Sequence, residues 1–138
     1  MSDQDRFADW EYPEIEEGKP TKYNWVVRNV YGLRLGYKTD IGAFSYINAK
    51  YGVTIEDFVQ IGSHCSIYSV STIDGKSGPV LLKKGCRVGS HSVIMPGVTV
   101  GANSIVGALS FVSCDIPENC IAAGVPAKVI KKTKPHIA

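Results

Sequence analysis

The sequence predicts an all-β chain wound as a parallel β-helix of hexapeptide repeats, with four to five coils and one short protruding loop. Three observations carry this. Ile, Leu or Val recurs every six residues, small or β-branched residues stand two places before each beat, and no helical or hairpin periodicity competes. A fixed short period marks a repeat architecture, in which each unit buries its apolar face only against its neighbours.

The beat falls on Ile55, Ile61, Ile67 and Ile73, and resumes at Leu82, Val88, Ile94, Val100, Val106 and Val112. With about a quarter of the chain drawn from these three residue types, ten matches in a fixed frame have a chance probability of roughly one in a million. The second column reads Val53, Val59, Cys65, Ser71, Val80, Cys86, Ser92, Val98, Ser104 and Ser110, side chains small enough for a narrow interior. Carried upstream without a slip, the frame puts Ala43 and Ala49 in the first column and Ile41 and Ile47 in the second, so the repeat starts by about Leu35. Glycine follows the beat at Gly62, Gly89, Gly101 and Gly107, where a missing Cβ permits a tight corner. A six-residue beat drifts around a 3.6-residue helix and so excludes an amphipathic helix. The hairpin turns of an antiparallel sandwich are missing.

Three segments follow from this frame: a polar, acid-rich lead-in over 1–32, the β-helix over 33–117, and a C-terminal segment with a basic tail over 118–138. Residues 1–24 read as extended or partly disordered. Nine residues separate Ile73 from Leu82 where six would keep the beat, so 74–79 (DGKSGP) reads as a protruding loop, the kind of element that carries function on a rigid scaffold.

The 138 residues suit one domain. Fifteen basic against thirteen acidic residues give no reason to expect a nucleic-acid partner. No apolar run approaches the ~20 residues of a membrane span and the start lacks a signal-peptide core, which makes the cytoplasm the expected location. Cys65, Cys86, Cys114 and Cys120 form no CxxC and no cluster with histidine. They read as reduced, mostly buried small hydrophobes, and no metal is expected.

The segments IGSHCSIYS (61–69) and VGSHSVIMPGVTVGANSIVGALSFVSCDIPENCIAAGVPAKVI (88–130) resemble the hexapeptide-repeat acyltransferases, and among them bacterial sugar O- and N-acetyltransferases. The PGVTVG, CDIP and GVPAKVI elements are specific as a set, and the likeness covers about residues 33–132. It implies a left-handed coil, a homotrimer with acyl-CoA in grooves between subunits, and acetyl-CoA as donor substrate. Association has support of its own. Val93 and Phe111 hold the same outward position eighteen residues apart, and Met95 and Leu109 extend an apolar patch that a monomer would leave wet.

Acyl transfer from a thioester requires that the acceptor lose a proton, that the oxyanion meet a donor and that CoA be held. Histidine is the usual base near neutral pH, and the chain has only His64, His91 and His136. If the loop replaces the end of one hexapeptide, His64 and His91 lie on different faces and meet only across a subunit boundary. His64 resembles the histidine of an IGPH-like motif beside the sugar pocket of amino-sugar acetyltransferases and is the first choice for proton transfer or acceptor binding. His91, matching a GSH that is not the base in galactoside-type members, is the second.

Galactoside-type relatives place their catalytic histidine just after the pre-loop coil, where this chain reads Ser71-Thr72-Ile73-Asp74. Either the base has moved to His64, or an amine acceptor needs little help. The second option favours an amino group on a nucleotide-linked sugar of cell-surface polysaccharide (lipopolysaccharide) synthesis, with a hydroxyl acceptor of galactoside or maltose type as the alternative. Asn48, Lys50 and Asp74 are candidate acceptor contacts, Lys50 suiting an acceptor with negative charge. The resemblance puts Gly89, Gly107 and Ala108 along the pantetheine arm and Lys128, Lys131 and Lys132 at the CoA phosphates, with Arg87 standing where many relatives have Trp. A carbonic anhydrase on the same coil needs three converging histidines, two of them closely spaced, which this chain lacks. A purely structural β-helix is the remaining class.

Overall fold

A computed structural model describes residues 7–134. The chain winds through about five coils, and each coil lays one short strand on each of three parallel sheets. Sheet A stacks β1 (Val26–Arg28), β4 (Tyr46–Asn48), β7 (Ser66–Tyr68), β12 (Val93–Ile94) and β15 (Phe111–Val112). Sheet B stacks β2 (Leu33–Leu35), β5 (Val53–Ile55), β10 (Val80–Leu82) and β13 (Thr99–Val100). Sheet C stacks β3 (Asp40–Ile41), β6 (Gln60–Ile61), β11 (Arg87–Val88), β14 (Ile105–Val106) and β16 (Cys120–Gly124), and ends on the antiparallel β17 (Ala127–Lys132). Among the described residues, besides these and a small hairpin, β8 (Val70–Ser71) and β9 (Lys76–Ser77), there is one 3-10 turn at Val30–Gly32.

The beat fills the interior. Ile55, Ile61, Ile67, Leu82, Val88, Ile94, Val100, Val106 and Val112 are all buried, each over its counterpart one coil away. The second column is buried as well, and its hydroxyls and thiols tie coil to coil. Ser45 Oγ donates to Gly62 O at 2.9 Å and accepts from Cys65 N at 3.1 Å; Ser92 Oγ donates to Gly107 O at 3.2 Å and accepts from Ser110 N at 3.2 Å. A buried hydroxyl must find partners, and here the next coil supplies both. Cys65, Cys86 and Cys120 are buried, Cys114 is exposed, and all four are free.

The frame differs from the sequence reading in three places. Ile73 is almost wholly exposed (98%) and Ser71 is only half-buried. Ile67 pairs with Ile94, 27 residues on, whereas Ile94 pairs with Val112, 18 residues on. The nine extra residues leave the coil as the β8–β9 hairpin, which begins at Val70 rather than at residue 74. Ile73 matched the beat by coincidence. Upstream, Ile47 pairs with Ile67 at an offset of 20, so the frame slips by two residues in the turn around Lys50–Tyr51. The first column upstream is therefore Leu35, Ile41 and Ile47, with Ser45 in the second column and Ala43 at an outward turn. Finally, β1 already belongs to sheet A, inside the stretch read as lead-in. Residues 7–25 pack on the coils: Phe7, Thr21 and Trp25 are buried, and Glu17 accepts from Val30 N at 3.0 Å and Asn29 N at 2.8 Å, bonds that hold its carboxyl below the usual range.

Corners between sheets use left-handed backbone at non-glycine residues. Asn24, Phe44, His64, His91 and Leu109 have φ between 57° and 66° and stack at the C-to-A corner. Such a conformation costs about 1–2 kcal/mol for an L-residue and is held by bonds from the coil beside it, as in His64 N to Ala43 O at 3.1 Å and His91 N to Ser63 O at 3.0 Å. The post-beat glycines are needed for a different reason. A Cβ on Gly62 would stand 2.5 Å from Ser90 N, and one on Gly89 would stand 2.4 Å from Ala108 N. Close stacking of successive corners, not a left-handed φ, excludes a side chain there.

Candidate functional site

The C-to-A corner brings together the two histidines that the sequence reading separated. Their rings are 4.7 Å apart at an interplanar angle of 3°, and the Phe44 ring lies 5.2 Å beyond His64. The correction follows from the hairpin. Because its nine residues leave the coil without using up a face, His64 to His91 is one complete turn (27 = 18 + 9), and both occupy the same corner. Both side chains are exposed. No described side chain hydrogen-bonds either ring, so stacking on each other and on Phe44 sets their orientation. His136 lies outside the described residues.

Beside this corner, a cavity of about 320 Å³ runs over sheet C. Gly62, Gly89, Gly107 and Ala108 form its corner side, and Asp40, Gln60, Arg87 and Ile105 its floor. Three of the residues expected along a pantetheine arm, Gly89, Gly107 and Ala108, thus share one groove, and each histidine sits two residues beyond a groove glycine. Lys128, Lys131 and Lys132 are exposed on β17, at the end of the same sheet, and do not line the groove. Asp40 and Gln60 were not singled out in the sequence. The two-residue slip hides the register of Asp40 with Gln60, and the hairpin hides that of Gln60 with Arg87.

The expected acceptor contacts lie elsewhere. Asn48 sits on β4 and accepts from Asn29 Nδ2 at 2.8 Å and from Lys50 N at 3.2 Å. Lys50 follows it in the A-to-B turn, its Nζ 5.6 Å from the Tyr51 ring centre. Asp74 caps the hairpin, accepting from Lys76 N at 3.4 Å and pairing with Lys76 Nζ at 3.9 Å. The Ser71 hydroxyl first, and then Lys76, hold its carboxyl below the usual range. Within one chain these three residues occupy a different corner of the triangle from the histidines.

The apolar patch is partly as expected. Val93 and Phe111 pair in register on sheet A and are half-buried, and Leu109 is exposed. Met95 is buried at 8% exposure and adds almost nothing to the surface. Among the described residues no three His, Cys, Asp or Glu side chains converge, and no helix is long and apolar enough to cross a membrane.

Residues 79–114 match the family model for the bacterial transferase hexapeptide (six repeats). The chain is 38% identical over 123 residues to galactoside O-acetyltransferase of Escherichia coli (strain K12), covering 78% of this chain and 60% of that protein. A hexapeptide-repeat acetyltransferase from Vibrio cholerae O1 biovar eltor, solved in complex with acetyl coenzyme A, superposes with a TM-score of 0.76 at 28% identity, over 80% of this chain and 66% of that one. A variant of the N-acyltransferase AntD from Bacillus cereus, solved with dTDP-4-amino-4,6-dideoxyglucose and coenzyme A, gives a TM-score of 0.58 at 28% identity, over 81% and 72%. The chain thus spans about three fifths of the length of the curated relatives it matches. Its coil is the left-handed parallel β-helix of these structures.

Proposed function

We propose that the chain, part of which matches the bacterial transferase hexapeptide model and most of which resembles a galactoside O-acetyltransferase, moves an acetyl group from acetyl-CoA to a sugar. The observation that carries this is the stacked His64–His91 pair bordering a glycine-sided groove. In this reading the pantetheine arm lies along Gly89, Gly107 and Ala108, with the thioester carbonyl at the corner. Lys128, Lys131 and Lys132 meet the CoA phosphates as point charges. One imidazole takes the proton of the acceptor as its heteroatom attacks the carbonyl carbon. The C–S bond then breaks, and the proton passes to the departing CoA sulfur. Asn48, Lys50 and Asp74 reach such a site only from a second copy, so the reading includes a homotrimer with the acceptor held at a subunit boundary.

Two acceptors remain, each with its own support. A hydroxyl is favoured by the paired imidazoles, because an alcohol needs a base, and by the likeness to a galactoside O-acetyltransferase. An amine on a nucleotide-linked sugar is favoured by the hairpin, which carries no histidine, and by the likeness to an N-acyltransferase. Thiol release from acetyl-CoA, measured against simple glycosides and nucleotide-linked amino sugars, tests both. With a hydroxyl acceptor, replacing the base (His64→Ala or His91→Ala) should lower kcat by about 10²–10⁴-fold. With an amine the loss should be far smaller. A double variant with full turnover on hydroxyl acceptors would remove the base assignment, and no thiol release with any sugar would remove the reaction.

A further inference from the structure

The corner between sheets C and A needs a left-handed backbone, but it does not need an aromatic side chain. The same positive φ is taken by Asn24 at this corner and by Lys38, Asn103 and Asn119 at the B-to-C corner. Asparagine visits that conformation more readily than most residues, whereas a bulky side chain there is an outlier. The chain nevertheless places Phe44 at the corner with φ 65° and leaves it 68% exposed, so its ring buries little surface in return. The other left-handed phenylalanine, Phe58, is accounted for by packing, because its ring meets those of Phe7 and Tyr37, each at 6.2 Å. Phe44 has one ring contact among the described residues, the His64 imidazole at 5.2 Å and 39°.

Phe44, His64 and His91 hold successive levels of this corner, each tied to the coil before it: Phe44 N donates to Asn24 O at 2.6 Å, His64 N to Ala43 O at 3.1 Å and His91 N to Ser63 O at 3.0 Å. His64 therefore has a ring on both sides, Phe44 on one and the stacked His91 on the other. His91 has a ring on one side only, since the aliphatic Leu109 holds the level beyond it.

We propose that Phe44 is a positioning residue for acetyl transfer: it holds the His64 imidazole in the plane from which that ring takes the acceptor's proton, and so makes His64 the base in preference to His91. This rests on the acetyltransferase reading and decides between its two imidazoles. An exposed imidazole with no hydrogen-bond partner turns about two side-chain bonds. Rings on both sides remove that freedom before the acceptor arrives, and a group already held in reacting geometry avoids the entropy cost of finding it. The phenyl ring has a second effect. A cation within about 6 Å of an aromatic centroid is attracted by the ring's quadrupole, and His64 becomes a cation as it accepts the proton.

Phe44→Ala should lower kcat on the hydroxyl acceptor p-nitrophenyl galactoside by about tenfold or more. The KM for acetyl-CoA should stay unchanged, since Phe44 does not line the glycine-sided groove. Phe44→Tyr keeps the ring and should restore the wild-type rate. Added to His64→Ala, Phe44→Ala should cost nothing further, because its effect passes through the imidazole. NMR of the imidazole C–H protons reads the same contact without turnover: Phe44→Ala should move the His64 resonances, and those of His91 less. The proposal is overturned by His64 resonances that stay in place, by a full further loss in the Phe44→Ala, His64→Ala double variant, or by a Phe44→Tyr variant as slow as Phe44→Ala. It is also overturned if activity falls only as the mass on a sizing column falls, which assigns Phe44 to a subunit contact. Resonances that move as expected with no thiol release from acetyl-CoA keep the geometry and remove the acetyltransferase reading instead.

Discussion

At the scale of single residues, the interior of the coil decides between side chains that look alike in the sequence. Cys86 and Cys114 differ in one respect, whether the position faces in or out. Cys86 is fully buried, and desolvation, reinforced by the nearby Glu56 carboxylate, pushes its thiol from 9.0 up to about 12. The consequence for stability has a definite sign. Below pH 9 the thiol is protonated in folded and unfolded chains alike, so it imposes no pH dependence. Above pH 9 the unfolded chain loses its proton while the folded one keeps it, so stability falls with rising pH until about pH 12. The loss is about 1.4 kcal/mol per pH unit, or roughly 4 kcal/mol across the window. Urea unfolding at a series of alkaline pH values should therefore show a steeper decline for the wild type than for Cys86→Ala; parallel curves would contradict the shift. A thiol reagent on the native protein should modify Cys114 fast and the three buried cysteines only on unfolding.

At the scale of elements, the hairpin is a nine-residue insertion into an otherwise regular coil. Ile67 and Leu82 are 15 residues apart, and removing nine restores the six-residue beat. Deleting residues 70–78 should leave the strand spectrum and thermal unfolding nearly unchanged, since Ile73 and its neighbours are exposed and bury no core. Acceptor turnover should fall at least about tenfold if the hairpin helps form the acceptor pocket. Unaltered kinetics in the deletion would release Asp74 from any role. The same element shows why the sequence was only partly readable. The beat was legible because every inward position must be apolar. The hairpin's start was not, because Ile73 fell on the beat by chance, and the slip at Lys50–Tyr51 passed unseen because Ala43 and Ala49 are small enough for either column. The first of those errors alone separated His64 from His91, since the slip lies upstream of both. Left-handed corners at Phe44, His64, His91 and Leu109 were also illegible, since nothing in a non-glycine side chain announces a positive φ.

At the scale of the whole molecule, one chain holds the parts of the proposed site at different corners. The groove and the histidine pair lie at the C-to-A corner, while Asn48, Lys50 and the hairpin lie at the next one. A neighbouring copy set against the C-to-A corner would unite them, and that corner has the surface for it. Phe44 and Leu109 are 68% and 69% exposed above and below the histidine pair, and Val93 and Phe111 stand half-buried on the adjoining sheet. Apolar surface of this kind, left wet, costs roughly 25 cal/mol per Å², and a closed ring of three would bury it in every copy. Light scattering on a sizing column should give three times 14.9 kDa, about 45 kDa, for the wild type. The double variant Leu109→Lys with Phe111→Glu should run as a 14.9 kDa monomer with its strand spectrum intact, because neither side chain belongs to the buried column. It should also lose acceptor turnover while keeping CoA binding weakened but measurable. A wild-type monomer at working concentration with full turnover would show that one corner suffices, and the acceptor would then have to be sought among residues beside the glycine groove, beginning with Asp40 and Gln60.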